Sequence, residues 1–489
     1  MKDKDTRSTH SAGTHTVSDD LKRFDAKIPF WKGIPFGLQH VMAMFVANLT
    51  PLILIAGVAK MDTSHKEWLI QGGLLVAGLG TILQLFPLWR IGSRLPMVTG
   101  ISFTYYAAAA AIVADKGYGA VVGAIIIGGL FEVALGLTAT WWRRIIPPIV
   151  SAVVVTSIGF SLLAVGAKSF GGGDGAADFG SWQNITIATV TLLCCLAFQF
   201  LAKGTAKQLS VLFGLVIGYL LALCMGKVSA SSFQGLSPVS VPHFLPFRPE
   251  FNWGAIISFG LLYLVSAVEV LGDTAALTDV GFDREPAARE TAGAIAGDGF
   301  ISSVAGFFGV MPLTSFAQNI GLVAMTKVVN RRVILSGGLI LVLASFFPPV
   351  AAIFNSLPPA VLGGCTIVMF GNIAVSGFQM IAKAGFTERN ITIVALSLTM
   401  GIGFTQVPAI FKYAPALVQQ IFANNAIAIA FIVALILAWV LPRNGKADKT
   451  GTAAEGREAG TTGAAKAAET ARAAETARAA AAAADSPSV

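Results

Sequence analysis

A chain of 489 residues that is 55% hydrophobic and only 12% charged, with a mean hydropathy of +0.72, is not a soluble globular protein. Soluble domains carry about 25% charged residues. The net charge of +8 is spread over short connections and both tails rather than gathered into a patch, which argues against nucleic acid as a partner. The apolar runs are long enough to cross a hydrocarbon layer about 30 Å thick, so the chain reads as an all-α polytopic protein of a cell inner (plasma) membrane. Cys194, Cys195, Cys224 and Cys365 sit inside apolar runs without metal-ligand spacing.

Residues 1–30 are polar, mixed in charge and without an apolar signal-peptide core, and read as an N-terminal tail. A transmembrane domain then runs over 31–442. Its first half holds apolar segments at about 33–59, 68–89, 96–113, 119–141, 146–167, 184–203 and 209–226. The first carries Gln39-His40. The third is short and opens at Pro96, with Ser102-Phe103 six and seven residues beyond. The fourth carries Glu132, for which the sequence names no partner. The loop Gly171-Gly172-Gly173-Asp174 lacks the Lys-Ser/Thr of a phosphate cradle.

The second half holds segments at about 254–277, 291–310, 312–326, 333–354, 358–382, 390–408 and 420–441. Glu269 and Asp273 stand four apart on the first of these, which puts both carboxyls on one helix face and into one cavity. A carboxylate at mid-membrane costs about 2.5–3.5 kcal/mol, so such a pair is expected to work, by holding and releasing a proton. Asp298 lies between two glycines on the next segment. The third, from Pro312, is short and polar: PLTSFAQNIGLVAMTK places Gln318 beside Asn319, then Gly321, Thr326 and Lys327. Side-chain amides at membrane depth need a partner in protein or ligand, and a broken helix is where a transport site sits. Lys327 and Arg331-Arg332 read as anchors at that segment's end. The tail from 443 is Ala-rich with a doubled Glu-Thr-Ala-Arg-Ala-Ala unit, and reads as disordered or transiently helical.

About fourteen segments put both termini on one side. Arg90, Arg94, Arg143, Arg144, Arg331, Arg332 and their neighbours make that side the cytoplasmic one. The halves also echo each other. Pro96 precedes Ser102 by six residues, as Pro312 precedes Gln318, and Ile146-Pro147-Pro148-Ile149-Val150 answers Leu357-Pro358-Pro359-Ala360-Val361. Seven segments per half make the second half inverted, and broken segments at matching places in inverted halves point to a substrate site. No Walker A run, His-Glu-x-x-His or nucleophile elbow is present, so neither an enzyme nor a cofactor or metal site is expected.

The run Gln318-Asn319-x-Gly321-x-x-x-x-Thr326-Lys327 closely resembles the signature of the nucleobase–ascorbate transporter family (nucleobase:cation symporter family 2), notably bacterial xanthine and uric acid permeases. Glu269, Asp298 and Gln318-Asn319 match in order the family's eighth-segment Glu, ninth-segment acid and tenth-segment signature. Gln39-His40 matches its first-segment Gln-His pair. The resemblance implies seven-plus-seven inverted repeats as a homodimer, with short extended stretches in segments 3 and 10 pairing at the centre. It implies a core at about 31–141 and 254–327 sliding against a gate at about 142–253 and 328–442, the gate drawn from segments five to seven and twelve to fourteen.

The resemblance also implies that Glu269 and Gln318 bind a purine base, xanthine or uric acid, with the backbone near Ala317 reading an edge. Asp298 couples a proton, sodium being left open, with Asp273, His40 and Asn319 in support. Phe103 is placed to stack on the base, an interaction worth about 1–3 kcal/mol in single-strand nucleic-acid binders. Ser102 stands where many xanthine carriers of the family have Asn and several urate carriers a small residue, which leaves the purine open. The competing readings are a uracil carrier of the same family and an anion transporter of sulfate-permease type.

Overall fold

A computed structural model describes residues 20–442, apart from 144, 229–232, 234–236 and 424. Most of the expected N-terminal tail, Arg144 and the Ala-rich extension from 443 lie outside the described residues. The described chain opens with α1 (Phe30–Val58) and α2 (Thr63–Leu85). It turns extended at β1 (Thr99–Ile101), tightens into a 3-10 turn at Phe103–Tyr105, and continues as α3 (Tyr106–Lys116) and α4 (Tyr118–Trp142). α5 (Pro148–Ser161), α6 (Leu163–Phe170), α7 (Trp182–Leu201), the one-turn α8 (Thr205–Gln208) and α9 (Ser210–Cys224) follow. The later chain gives α10 (Trp253–Phe282), α11 (Ala288–Phe307), β2 (Leu313–Ser315) and α12 (Ala317–Thr326). It ends with α13 (Arg331–Ala344), α14 (Pro348–Asn355), α15 (Pro359–Ala384), α16 (Glu388–Gln406), α17 (Ala416–Phe422) and α18 (Ala426–Val440).

Among the described residues, seven stretches are long and apolar enough to cross a membrane, α5 and α6 counting as one, and up to eight if α13 and α14 form one broken span. That last pair bends by 83°, where the sequence suggested a single run over 333–354. The break falls at Pro348-Pro349, which open α14 and end any helix arriving from α13. Six of the eight tryptophans, Trp31, Trp89, Trp141, Trp182, Trp253 and Trp439, are exposed and sit at or just beyond helix ends. Amphipathic rings gather at that depth in a bilayer, so the helix ends mark the two interfaces. The chain is a multi-pass membrane protein.

The proline echo has a structural counterpart. Pro148 and Pro359 open α5 and α15 at positions whose N–H would be unpaired anyway. These two helices pack on each other, Gly159 against Ala374 and Gly377 against Thr156. The second echo meets at β1 and β2, which pair antiparallel with Thr99 opposite Ser315, Gly100 opposite Thr314 and Ile101 opposite Leu313. Two further backbone bonds, Ser102 N–H to Pro312 O at 2.9 Å and Phe316 N–H to Val98 O at 3.0 Å, extend the crossing. Extended backbone at membrane depth survives only when its polar groups are paired inside protein, and here each strand pairs with the other.

The helices pack in two groups. α1, α2, α4 and α10–α13 form one, held chiefly by α4 on α11 and by α13 on α1 and α2; α14 also lies against α2. α5, α6, α7, α9, α15, α16 and α18 form the other. The expected bound at residue 327 puts α13 and α14 with the gate, whereas drawing the gate from segments twelve to fourteen leaves them out; they pack on α1 and α2, so the packing boundary falls near residue 357. The paired strands lie within the first group, at its face toward the second.

Candidate functional site

An amide and a hydroxyl side chain fix the crossing of β1 and β2. Asn48, fully buried on α1, accepts the Ile101 N–H through its side-chain oxygen at 2.8 Å. Thr81 on α2 accepts the Thr99 N–H through its hydroxyl at 3.2 Å. Beyond β1, the Ser102 hydroxyl accepts the Thr104 N–H at 3.2 Å and so starts the 3-10 turn. That turn aims the Thr104 hydroxyl at α10, where it donates to Glu269 Oε2 at 3.2 Å. Beyond β2, α12 begins at Ala317, so Ala317 and Gln318 lie in its open first turn.

These elements enclose a cavity of about 70 Å³, lined by Ser102, Phe103, Thr104, Glu269, Thr314–Gln318, Ala47 and Ile101, and by Ile158 and Ile373 from the other helix group. Glu269, Gln318, Ala317, Phe103 and Ser102 are thus brought together. Ala317 and Gln318 are exposed, and the Gln318 amide makes no hydrogen bond to another described residue. Phe103 is 7% exposed and stands edge-on to Phe370 of α15, ring centroids 5.0 Å apart. A cavity of 150 Å³ can hold benzene, so this one admits a planar bicycle only after Ile158 and Ile373 withdraw.

Asp273 departs from expectation. It shares a helix face with Glu269, but its Oδ2 accepts from the Ser315 hydroxyl at 2.5 Å and it lines a different cavity, of about 760 Å³. That cavity runs between α10 and α15 past Asp279 and Lys383, and reaches Ala317 from the far side. The Ser315 hydroxyl of β2 holds Asp273, and the Thr104 hydroxyl beyond β1 holds Glu269. A third cavity, of about 350 Å³ and lined by Gln199, Lys207, Gln208 and Asn372, also reaches Gln318.

Three more expected residues lie behind the cavity rather than on it. Asp298 is fully buried on α11 and accepts at Oδ1 from Gln84 Nε2, 2.8 Å away; the oxygen of the same amide, Gln84 Oε1, accepts the Ser93 N–H at 2.9 Å. Asn319 donates to His40 Nδ1 at 3.1 Å and to the His40 carbonyl at 3.0 Å. His40 and Asn319 thus join α1 to α12 and set the rotation that leaves Gln318 facing the cavity. Lys327 closes α12 in a left-handed conformation and donates to the Val280 carbonyl at 2.7 Å, an anchor well away from the cavity.

Since His40 and Asn319 act as one clasp, the variants His40→Ala and Asn319→Ala are expected to be non-additive. The double variant should lose about 1 kcal/mol less than the two singles summed, read from thermal midpoints in detergent. Additive losses would show that the contact does not join the helices.

Sequence reasoning missed Thr104, Ser315, Asn48 and Gln84. The two amides carried a usable signal, because each is a neutral amide inside an apolar helix and so needs a partner. The two hydroxyls carried none, since Ser and Thr satisfy themselves on helix carbonyls throughout this chain, as Thr50 and Thr274 do.

The sequence model of the permease family Xan_ur_permease matches residues 32–410. Among curated proteins, the chain is 33% identical over 441 residues to a putative purine permease of Clostridium perfringens, covering 90% of this chain and 96% of that one. It is 30% identical over 445 residues to the xanthine permease XanQ of Escherichia coli, covering 88% and 95%. To the uric acid permease PucK of Bacillus subtilis it is 34% identical over 408 residues, covering 82% and 93%. Among solved structures, the transmembrane domain of a cyanobacterial bicarbonate transporter, BicA, aligns with a TM-score of 0.54 at 16% identity, over 85% of this chain and 98% of that one. The murine anion transporter Slc26a9 in its inward-facing state aligns with a TM-score of 0.57 at 12% identity, over 86% and 70%. At those identities the structural likeness speaks to the fold alone.

Proposed function

We propose, because this chain belongs to the nucleobase–ascorbate transporter family, that it imports a purine base, xanthine or uric acid, by symport with a proton. The observation that carries this reading is the facing of Glu269 and Gln318 across one small cavity floored by the strand crossing. A carboxylate accepts two N–H groups from one edge of an oxidised purine. An amide donates and accepts, so it meets an edge that offers both. Thr104 holds one Glu269 oxygen in place, and Phe103 offers an apolar ring to the base's face. The first turn of α12 adds unpaired backbone N–H groups beside Ala317.

In this reading the group α1–α4 with α10–α14 is the moving core, and α5–α9 with α15–α18 the gate. The base sits between them, and movement of the core past Ile158 and Ile373 exposes it to alternate sides. Asp298 and Asp273 carry or stabilise the coupling proton, their helices lying inside the core. The protein works in a cell's inner membrane as a homodimer with both termini cytoplasmic, an orientation supported by the arginines near the ends of α2, α4 and α12.

The anion transporters that share the fold raise a second reading, transport of a small anion. An ionised Glu269 at the cavity wall opposes it. The test is uptake of radiolabelled xanthine in transporter-deficient cells, with urate, uracil, ascorbate or sulfate as competitor and with or without a protonophore. Uptake blocked by urate and collapsed by the protonophore is expected; sulfate accumulation without xanthine accumulation would reverse the reading. Gln318→Glu removes a donor from the purine edge, so xanthine and urate uptake are expected to fall about tenfold, roughly one hydrogen bond's worth, while uracil gains entry. Unchanged purine kinetics in that variant would mean Gln318 does not read the base.

A further inference from the structure

Glu132 stands at a close helix crossing of the core. α4 and α11 approach backbone to backbone: a Cβ on Gly129 would meet Ser303 N at 2.5 Å, and one on Gly299 would meet Val133 N at 2.6 Å and Glu132 Cβ at 2.8 Å. Glu132 lies on this face, fully buried, and neither carboxyl oxygen has a hydrogen-bond partner. It faces neither lipid nor a neighbouring subunit.

Its surroundings share the same lack. The Tyr105 hydroxyl, the Ser266 hydroxyl and Asp298 Oδ2 are buried and unpartnered as well. They come from three different elements around Glu132: the turn after β1, α10 and α11. The titratable groups facing Glu132 are therefore Tyr105, Tyr263 and Glu269, and Asp298 across the crossing. Each buried polar group left unpaired costs about 1–3 kcal/mol, and a cluster of them in a packed core calls for a function. This cluster adjoins the substrate cavity at two points. Tyr105 follows Thr104, which holds Glu269, and Ser266 lies one turn before Glu269 on α10.

We propose that Glu132 is a second proton-carrying carboxyl of the transport cycle, exchanging the coupling proton with Asp298 across the α4–α11 crossing. The chemistry balances without another reactant. The O–H bond of a protonated Asp298 breaks as its proton passes to the Glu132 carboxylate, where a new O–H bond forms, and Asp298 is left ionised. The reverse transfer resets the site. The Ser266 and Tyr105 hydroxyls beside Glu132 suit either charge state, because a hydroxyl donates to the ionised carboxyl and accepts from the protonated one. Glu132 touches no part of the substrate cavity, so it is a proton-handling residue and not a binding one.

The inference rests on the proton-symport reading above. The test uses the full chain in proteoliposomes, comparing xanthine accumulation driven by an imposed pH gradient with gradient-free xanthine exchange. One-to-one coupling lets a gradient of about one pH unit sustain about tenfold accumulation. Glu132→Gln is expected to lose that tenfold and to flatten the pH profile of uptake, while exchange persists; Glu132→Asp should recover part of the drive. Tyr105→Phe, which removes only a hydroxyl, is expected to slow gradient-driven accumulation. Glu132→Gln accumulating with the parent's pH profile would overturn the inference alone, as would loss of exchange together with accumulation. A parent protein that moves xanthine without proton drive would overturn both readings.

Discussion

Replacing Glu269 by Gln is expected to abolish accumulation of xanthine while leaving the protein in the membrane. The side chain is nearly isosteric and Thr104 can still donate to the amide oxygen, so packing on α10 changes little. The electrostatic character changes completely. Gln presents an NH2 where a carboxylate oxygen had faced the cavity, so a donor meets the donors of the purine edge. Losing a hydrogen bond to a charged group costs about 1.5–3 kcal/mol, a factor of roughly ten to over a hundred in affinity. The variant also loses an ionisable group from the cavity wall, which removes whatever part of the proton cycle passes through it. Radiolabelled uptake, normalised to transporter in the membrane, checks both. Glu269→Asp keeps the charge but withdraws it by one methylene and should retain a fraction of the parent's transport. Substantial accumulation by Glu269→Gln would remove this residue from the site.

The site was legible where local chemistry conflicts with local environment. Gln318 and Asn319 stand out because amides are rare in so apolar a chain, and the prolines at 96, 147–148, 312 and 358–359 mark where helices break or begin. Spacing gave the matching breaks at Pro96 and Pro312, and the family resemblance implied that the extended stretches after them pair, as β1 and β2 do. What could not be read was which polar groups meet across 50 or more positions, because such pairs are set by helix packing and not by any nearby residue. Thr104 with Glu269, Gln84 with Asp298 and Asn48 with Ile101 are all of this kind. The rule that positions four apart share a face held for Glu269 and Asp273, yet it does not say what lies between them. Nor does it give the partner of each: Ser315 of β2 holds Asp273 while Thr104 holds Glu269, and the two carboxyls line separate cavities. The residue bound at 327 and the segment list part over α13 for a related reason. Segment order alone does not show that α13 lies against α1 and α2, where Gly37 and Gly337 let the backbones touch.

The second large effect concerns stability. A methyl on Gly136 of α4 would stand 2.3 Å from Ala296 N and 2.6 Å from its Cα. Both are backbone atoms of α11 and cannot rotate aside, so the helices would have to separate. Close approach through small residues is what holds helices together in a membrane, where lipid supplies no hydrophobic drive. Gly136→Val is therefore expected to cost about 1–3 kcal/mol or more of overpacking and to sharply reduce the folded protein recovered from membranes. The damage should reach function in whatever protein survives, because α11 also holds β2 through the Ser302 hydroxyl, which accepts the Leu313 N–H at 2.9 Å. Separating α11 from α4 would shift the strand that carries Thr314 and Ser315 into the cavity. Gly260 supplies the control, since a Cβ there meets nothing within 4 Å. Gly260→Ala gains helix propensity, up to about 1 kcal/mol, and should leave the melting temperature unchanged or slightly raised. Thermal unfolding in detergent, followed by size-exclusion recovery, compares the two directly. Equal midpoints for Gly136→Val and Gly260→Ala would mean that the α4–α11 crossing is looser than its backbone distances require, and that the strand crossing takes its position from α1 and α2 alone.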